Sequence, residues 1–235
     1  MAFTAADVKK LREMTNVGMM DCKKALQEAD GDFDKAVELL REKGLAKAAK
    51  KAGRIAAEGV VCATVCGDCG VGAIIEVNSE TDFVAKNADF QKFVSDLAGV
   101  VMKENPADVE ALKTCKLGDV TVQEALQEKV LTIGENIQIR RFERYDDSTV
   151  NVAYTHMGGV IGVLVGLSVS DNLKDNATVK ELGKDIGMQA AAMRPSFMDK
   201  SEVDAATLDK EREILMAQAI EENKTAAKPK PKQII

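Results

Sequence analysis

The chain has 235 residues, 46% of them apolar, and could bury about 70% of its unfolded surface. Its net charge of −6 and its 4% aromatic content argue against a protein whose main ligand is nucleic acid, because binding phosphates requires a basic surface. No apolar run reaches the roughly 18 residues of a membrane span, and residues 1–10 lack the apolar core of a signal peptide. We therefore expect a cytoplasmic protein whose five cysteines are reduced.

Residues 1–52 predict a helical module of three short helices. Thr4 and Asp7 form a capping-box-like start, Asp30-Gly31 ends the second helix, and Gly44 ends the third.

A linker helix, rich in alanine and lysine, is predicted for residues 45–57. Its basic residues are expected to form a solvated face, and contact with RNA is the alternative. They are Lys47, Lys50, Lys51 and Arg54.

Residues 76–86, with the sequence EVNSETDFVAK, lie between a predicted buried strand and a predicted helix at residues 87–103. Connections of this kind often display functional groups. In one interpretation Thr81 or Asp82 caps a helix and Phe83 fills the local core. In the other, the ring of Phe83 is exposed and functional.

The body of the chain repeats itself with an offset of 89 residues, because residues 65–106 align without a gap on residues 154–195. This alignment predicts two related α+β units, each a β-hairpin followed by a long helix. Phe83 falls opposite the polar Asn172, so the second copy keeps no apolar plug there. The difference favours an exposed, functional Phe83.

The remaining segments complete an α+β fold. A helix is predicted for residues 120–131, a half-buried strand with one register slip for 136–145, and a charged helix with an apolar stripe for 205–222. The prolines of residues 228–232 exclude a helix there. We divide the chain into a helical module, two core subdomains and a C-terminal helix with a tail, at residues 1–52, 53–146, 147–204 and 205–235.

Groups suited to catalysis are scarce. His156 is the only histidine, and it ends a predicted strand, where it could be an ordinary surface or core-edge group. The sequence has no catalytic-serine motif and no complete phosphate loop. Three cysteines, spaced Cys-x3-Cys-x2-Cys, lack the fourth ligand of a structural zinc site; they are Cys62, Cys66 and Cys69. We therefore expect no metal site, no cofactor and no enzyme.

Two motifs resemble the signatures of the bacterial translation elongation factor Ts family. Residues 11–26, LREMTNVGMMDCKKAL, resemble its N-terminal signature, with Asn16-Val17 where Gly-Ala is more usual, and residues 76–86 resemble its second signature. Shorter matches follow the family's order; they occupy residues 47–52, 133–137 and 162–165.

This resemblance implies a guanine-nucleotide exchange factor for elongation factor Tu, with an N-terminal module of the ubiquitin-associated kind. It implies a tip that disturbs the Mg²⁺ and phosphate site of the GDP-bound GTPase and leaves it nucleotide-free. The implied tip residues are Thr81, Asp82, Phe83 and Val84, and the other implied contacts are Arg12, Met19, Met20 and His156. From chemistry alone, the two methionines could equally belong to the core at the start of a helix.

Many members of the family continue with a returning helix, which completes a coiled-coil hairpin, and a C-terminal module. This chain stops at Ile235, so either it is truncated or this member is short. We expect a monomer, since one short helix pair does not offset the cost of association. The alternative function is a protein-binding module or scaffold without exchange activity.

Overall fold

The computed structural model describes residues 3–15, 17–51, 53–67 and 69–225, except for the side chains of residues 45–50 and 225. Three features of the sequence interpretation therefore lie outside the described residues: Asn16, the side chains of Lys47 and Lys50, and the tail at residues 228–232. The chain is of the α+β class and divides into two compact units, Met1–Ala192 and Met193–Ile235, which are considered separately.

The helices are α1 (Ala5–Thr15), α2 (Met19–Glu28), α3 (Phe33–Lys51), α4 (Asp82–Ala85), α5 (Ala88–Glu104), α6 (Val109–Thr114), α7 (Val122–Ile133), α8 (Ala177–Met193) and α9 (Ala205–Thr225). The strands are β1 (Glu58–Val65), β2 (Gly72–Ser79), β3 (Lys116–Leu117), β4 (Val120–Thr121), β5 (Gln138–Tyr145), β6 (Val150–His156) and β7 (Ile161–Leu167).

The first three helices pack around a small apolar core that includes Leu11, Leu26 and Leu40. The predicted start of α1 is confirmed, because the backbone N–H of Thr4 donates to Asp7 Oδ2 at 2.7 Å and that of Asp7 donates to Thr4 Oγ1 at 3.3 Å. Asp30 and Gly31, with φ of 50° and 87°, turn the chain out of α2, also as predicted.

The prediction that the third helix ends at Gly44 is wrong, and so is the separate linker helix at residues 45–57. Helix α3 continues through Gly44 to Lys51, and residues 53–57 are not helical. A Cβ atom added to Gly44 would lie 3.3 Å from Leu131 of α7. The glycine therefore allows a close approach between two helices and does not terminate one.

The main core forms between α5 and an antiparallel sheet in the order β1-β2-β5. Asn87 caps α5, and its side chain accepts hydrogen bonds from the backbone N–H groups of Asp89 and Phe90. The apolar side chains at helical spacing, such as Phe90 and Leu97, are completely buried. The register slip predicted for β5 is confirmed as an irregularity in its pairing with β2, between Glu76 and Val77.

A second hairpin, β6–β7, is followed by α8 in the same way that β1–β2 is followed by α5. An offset of 89 residues places α5, residues 88–104, on residues 177–193, which are the bounds of α8. Helix α8 approaches its hairpin closely, because a Cβ atom added to Gly183 would lie 2.5 Å from Val152 Cγ2. Within the described ranges, no helix combines the length and apolar character needed to cross a membrane.

In the second unit, α9 begins after Asp204, which accepts a hydrogen bond from the backbone N–H of Thr207 at 2.9 Å. Hydrogen bonds from Thr207 also lower the pKa of the Asp204 carboxyl. The apolar stripe predicted for this helix is exposed within the unit. Its members are Leu208, Ile214, Leu215 and Ile220.

We predict that Gly183→Ala lowers the free energy of unfolding by about 1–3 kcal/mol, because the new methyl group overlaps Val152. Gly99→Ala is the matched control, since Gly99 lies inside α5 with no atom within 4 Å of an added Cβ. There, the better helix propensity of alanine should raise the free energy of unfolding by up to about 1 kcal/mol. Urea unfolding of both variants measures the two free energies. Equal effects would contradict the close packing of Gly183 against Val152.

Candidate functional site

The tip of the candidate site is the short helix α4, which follows β2 after a two-residue connection. The ring of Phe83 is 82% exposed, which confirms the predicted exposure and excludes the core-plug interpretation. The next residues, Val84 and Ala85, are partly buried against the main core. Thus α4 is anchored on one side and presents the aromatic ring on the other, with Val84 serving as an anchor.

Asp82 forms an ion pair with Lys86 one turn along the chain, with 2.6 Å between Oδ2 and Nζ. The hydrogen bond and the positive charge of Lys86 lower the pKa of the Asp82 carboxyl. The same contact raises the pKa of the Lys86 ammonium group. The tip therefore carries an ionised carboxylate beside the exposed ring. Because the ion pair with Lys86 is exposed to solvent, Asp82 can leave Lys86 for another partner at little cost in free energy.

The connection before the tip is held by Glu135, from the loop between α7 and β5. Its Oε2 accepts hydrogen bonds from the backbone N–H groups of Glu80 and Thr81, each at 3.0 Å. Its Oε1 accepts a hydrogen bond from the hydroxyl of Thr81 at 2.6 Å. Thr81 occupies the N-cap position of α4, but its side chain makes no cap hydrogen bond, so the interpretation in which Thr81 caps the helix is wrong.

A second set of contacts joins the same two loops in the opposite direction. The backbone N–H of Asn136 donates to Glu80 Oε1 at 2.6 Å, and its side-chain amide donates to the carbonyl of Arg54 at 2.7 Å. The guanidinium of Arg54 also lies 3.5 Å from Glu80 Oε1. In the sequence, residues 133–137 stand out only as a matching block, and their contact with the tip was not predictable, since pairing across more than 50 positions leaves no local pattern.

His156 ends β6, as predicted, and is exposed. Its Nδ1 lies 2.9 Å from the hydroxyl of Tyr154, and the two rings stack. The following turn exposes two apolar residues that sequence analysis missed, Met157 and Val160. A positive φ of 50° at Met157 marks the turn.

The turn after His156 and the tip lie toward the same end of β1. Gly159 accepts a hydrogen bond from the backbone N–H of Val61 at 2.7 Å, and Glu58 pairs with Ser79 just before the tip. Val61 and Glu58 are three positions apart on β1, or about 10 Å along a strand.

Arg12, Met19 and Met20 are exposed on the N-terminal helices, so the alternative in which the methionines fill the core is wrong. Cys22, three positions after Met19, is buried instead, and burial raises the pKa of its thiol. The outward positions of Arg12, Met19 and Met20 make these side chains available to a partner. Exposed methionines suit an adaptable interface.

The cysteines of the first hairpin take strand and turn positions, as expected. Burial raises the pKa of the Cys62 thiol, and the backbone N–H of Cys69 donates to Cys66 Sγ at 3.3 Å. In the part of the chain that the structure describes, no group of three or more potential ligands is arranged to hold a metal ion.

The comparisons of this chain with known proteins agree on one family. Residues 80–235 match the family model described as Elongation factor TS. The protein named Elongation factor Ts from Clostridioides difficile (strain 630) is 51% identical over 225 residues, which cover 95% of this chain and 73% of that protein. The protein of the same name from a Nitratiruptor species is 46% identical over 228 residues, covering 96% and 74%.

We predict that Phe83→Ala changes the free energy of unfolding by no more than about 0.5 kcal/mol, because the ring is exposed. Phe90→Ala, at a fully buried position of the same segment, should lower it by about 3–5 kcal/mol. Thermal or urea unfolding of the pair measures the contrast. A large loss of stability in the Phe83 variant would restore the core-plug interpretation.

Proposed function

The chain belongs to the elongation factor Ts family of translation elongation factors, and from this membership we propose that it is a guanine-nucleotide exchange factor for elongation factor Tu. In this proposal, the chain binds the GDP-bound GTPase, disturbs its Mg²⁺ and phosphate site, and releases GDP. The observation that carries the proposal is the exposed Phe83 ring beside the ionised Asp82, on a helix anchored to the main core.

Bound GDP is held by a phosphate loop and by Mg²⁺, which offsets the phosphate charge. Burying the Phe83 ring in an apolar slot of the GTPase would contribute about 1.5–3 kcal/mol. Asp82 can give up its contact with Lys86 and interact with the elements that position the metal. This binding energy favours the nucleotide-free shape of the GTPase, and by reciprocity GDP weakens binding of the factor by the same ratio.

The other exposed residues provide affinity in this proposal. Arg12, Met19 and Met20 contact the nucleotide-binding domain, and His156 contacts a second region of the GTPase. The turn at Met157 and Val160 extends the second contact, because its exposed apolar side chains lie next to His156.

No covalent bond changes in the proposed reaction, so the chain needs no catalytic residue and is not an enzyme in the chemical sense. We further propose a cytoplasmic monomer with a ubiquitin-associated-like module, residues 1–52, and two related core subdomains, residues 53–146 and 147–204. The rival is a protein-binding module or scaffold, which would use the same exposed methionines without needing Asp82 and Phe83.

Release of fluorescent GDP from purified elongation factor Tu, with and without this chain, separates the two functions. The exchange function requires faster release at substoichiometric factor in the presence of excess unlabelled GDP, because each factor molecule acts repeatedly. Binding without acceleration would favour the scaffold.

We predict that Phe83→Ala lowers the maximal rate of GDP release by roughly thirtyfold, corresponding to a contribution of about 2 kcal/mol. The concentration of factor needed for half-maximal release should change less, because the remaining contacts still hold the GTPase. Met198→Ala, at a position exposed in the second unit, is the control. Equal losses of binding and maximal rate would make Phe83 an ordinary contact residue.

Replacing both Met19 and Met20 with serine should have the complementary effect. We expect the half-saturating concentration to rise by roughly tenfold or more, since two exposed apolar side chains leave the interface, while the maximal rate is retained. Met216→Ser, at an exposed position of α9, is the matched control. Titration of GDP release with each variant gives both quantities, and an unchanged half-saturating concentration would remove the methionines from the interface.

A further inference from the structure

We infer that Glu135 is a positioning residue, which fixes the direction in which the tip presents Phe83. The inference rests on the proposed exchange function and assigns to one side chain, distant in sequence, the control of the tip geometry. Glu135 itself is not required to touch the GTPase.

Both carboxylate oxygens of Glu135 are engaged by the connection that leads into α4. Consecutive backbone N–H groups, those of Glu80 and Thr81, point at Oε2, and the hydroxyl of Thr81 points at Oε1. Three donors on one carboxylate fix the orientation of two successive peptide groups. Phe83 follows only two residues later, so the path of the chain into α4 depends directly on this contact.

The base from which Glu135 acts is itself fixed. Gly134 ends α7 with a left-handed φ of 85°, and Asn136 is 3% exposed. Glu80 returns the contact by accepting a hydrogen bond from the Asn136 backbone N–H. The two loops therefore hold each other by reciprocal carboxylate-to-backbone bonds, which allow less rotation than a single ion pair.

A local alternative exists for the tip if Glu135 is removed. Thr81 occupies the N-cap position of α4, and a threonine there commonly accepts a hydrogen bond from the first turn of its own helix. In this structure its hydroxyl instead donates to Glu135. Without the carboxylate, the Thr81 side chain is no longer held toward Glu135 and is free to rotate and cap α4, which changes the entry into the helix.

The experiment uses a probe that is independent of exchange. The chain has no tryptophan, so Phe83→Trp places a single tryptophan reporter at the tip. Time-resolved anisotropy of this indole is compared with and without Glu135→Gln, which keeps the side-chain size but loses the charge and one acceptor. Glu143→Gln is the matched control, because Glu143 is exposed on β5 and its side chain makes no hydrogen bond or ion pair with the described residues.

We expect Glu135→Gln to lower the residual anisotropy at position 83, whereas Glu143→Gln leaves it unchanged. With Phe83 restored, Glu135→Gln should lower the maximal rate of GDP release by roughly tenfold or more. The half-saturating concentration should change much less, because a misplaced Phe83 ring impairs the release of GDP more than the binding of the GTPase. Thr81→Val, which removes only the hydroxyl donor, should give a smaller change in the same direction. If Glu135→Gln does not fold, Thr81→Val carries the test.

Unchanged anisotropy together with an unchanged maximal rate would overturn the inference. A slower rate without any change in anisotropy would also overturn it, because Glu135 would then act as a direct contact. If the unmodified chain fails to accelerate GDP release, the proposed function fails. The anisotropy comparison would still establish or overturn the control of the tip by Glu135.

Discussion

An exposed aromatic ring must be kept from folding back onto the apolar surface beside it, and this constraint governs the tip. Helix α4 has only four residues and could not persist by itself. Partial burial of Val84 and Ala85 against the main core holds one side of it, and the carboxylate of Glu135 holds the backbone that enters it. The sheet, α5 and α7 thus serve as the rigid base from which one phenyl ring projects.

The repeat in the sequence anticipated much of this base because it records packing requirements directly. Apolar residues at helical spacing must face the sheet, so α5 and α8 were predictable to within a residue. Asn172 opposite Phe83 was equally informative, since a shared plug would have needed an apolar side chain in both copies. The exposed ring was therefore recoverable from the sequence without any contact information.

Two features could not be recovered, for different physical reasons. Gly44 is a residue typical of a helix end, but its structural role depends on Leu131, which lies 87 positions later. A Cβ atom added to Gly44 would lie 3.3 Å from Leu131. Thr81 is a residue typical of a helix cap, but its hydroxyl is oriented toward Glu135 and makes no cap hydrogen bond. In both cases a partner distant in sequence overrides a local preference, and a single sequence does not show which distant partner is available.

The two hairpins, β1–β2 and β6–β7, differ in how much apolar surface they bury with the elements packed against them. The first has three strands and large buried side chains such as Phe90 and Leu97, whereas the second has two strands against a helix whose buried face includes Gly183 and Gly187. Small buried residues supply little burial energy, so the second hairpin should open locally well below the free energy of global unfolding. Its amide hydrogens should then exchange with deuterium before those of β1 and β2. Because His156 is the last residue of β6, the backbone beside this side chain should open more readily than the backbone at the tip.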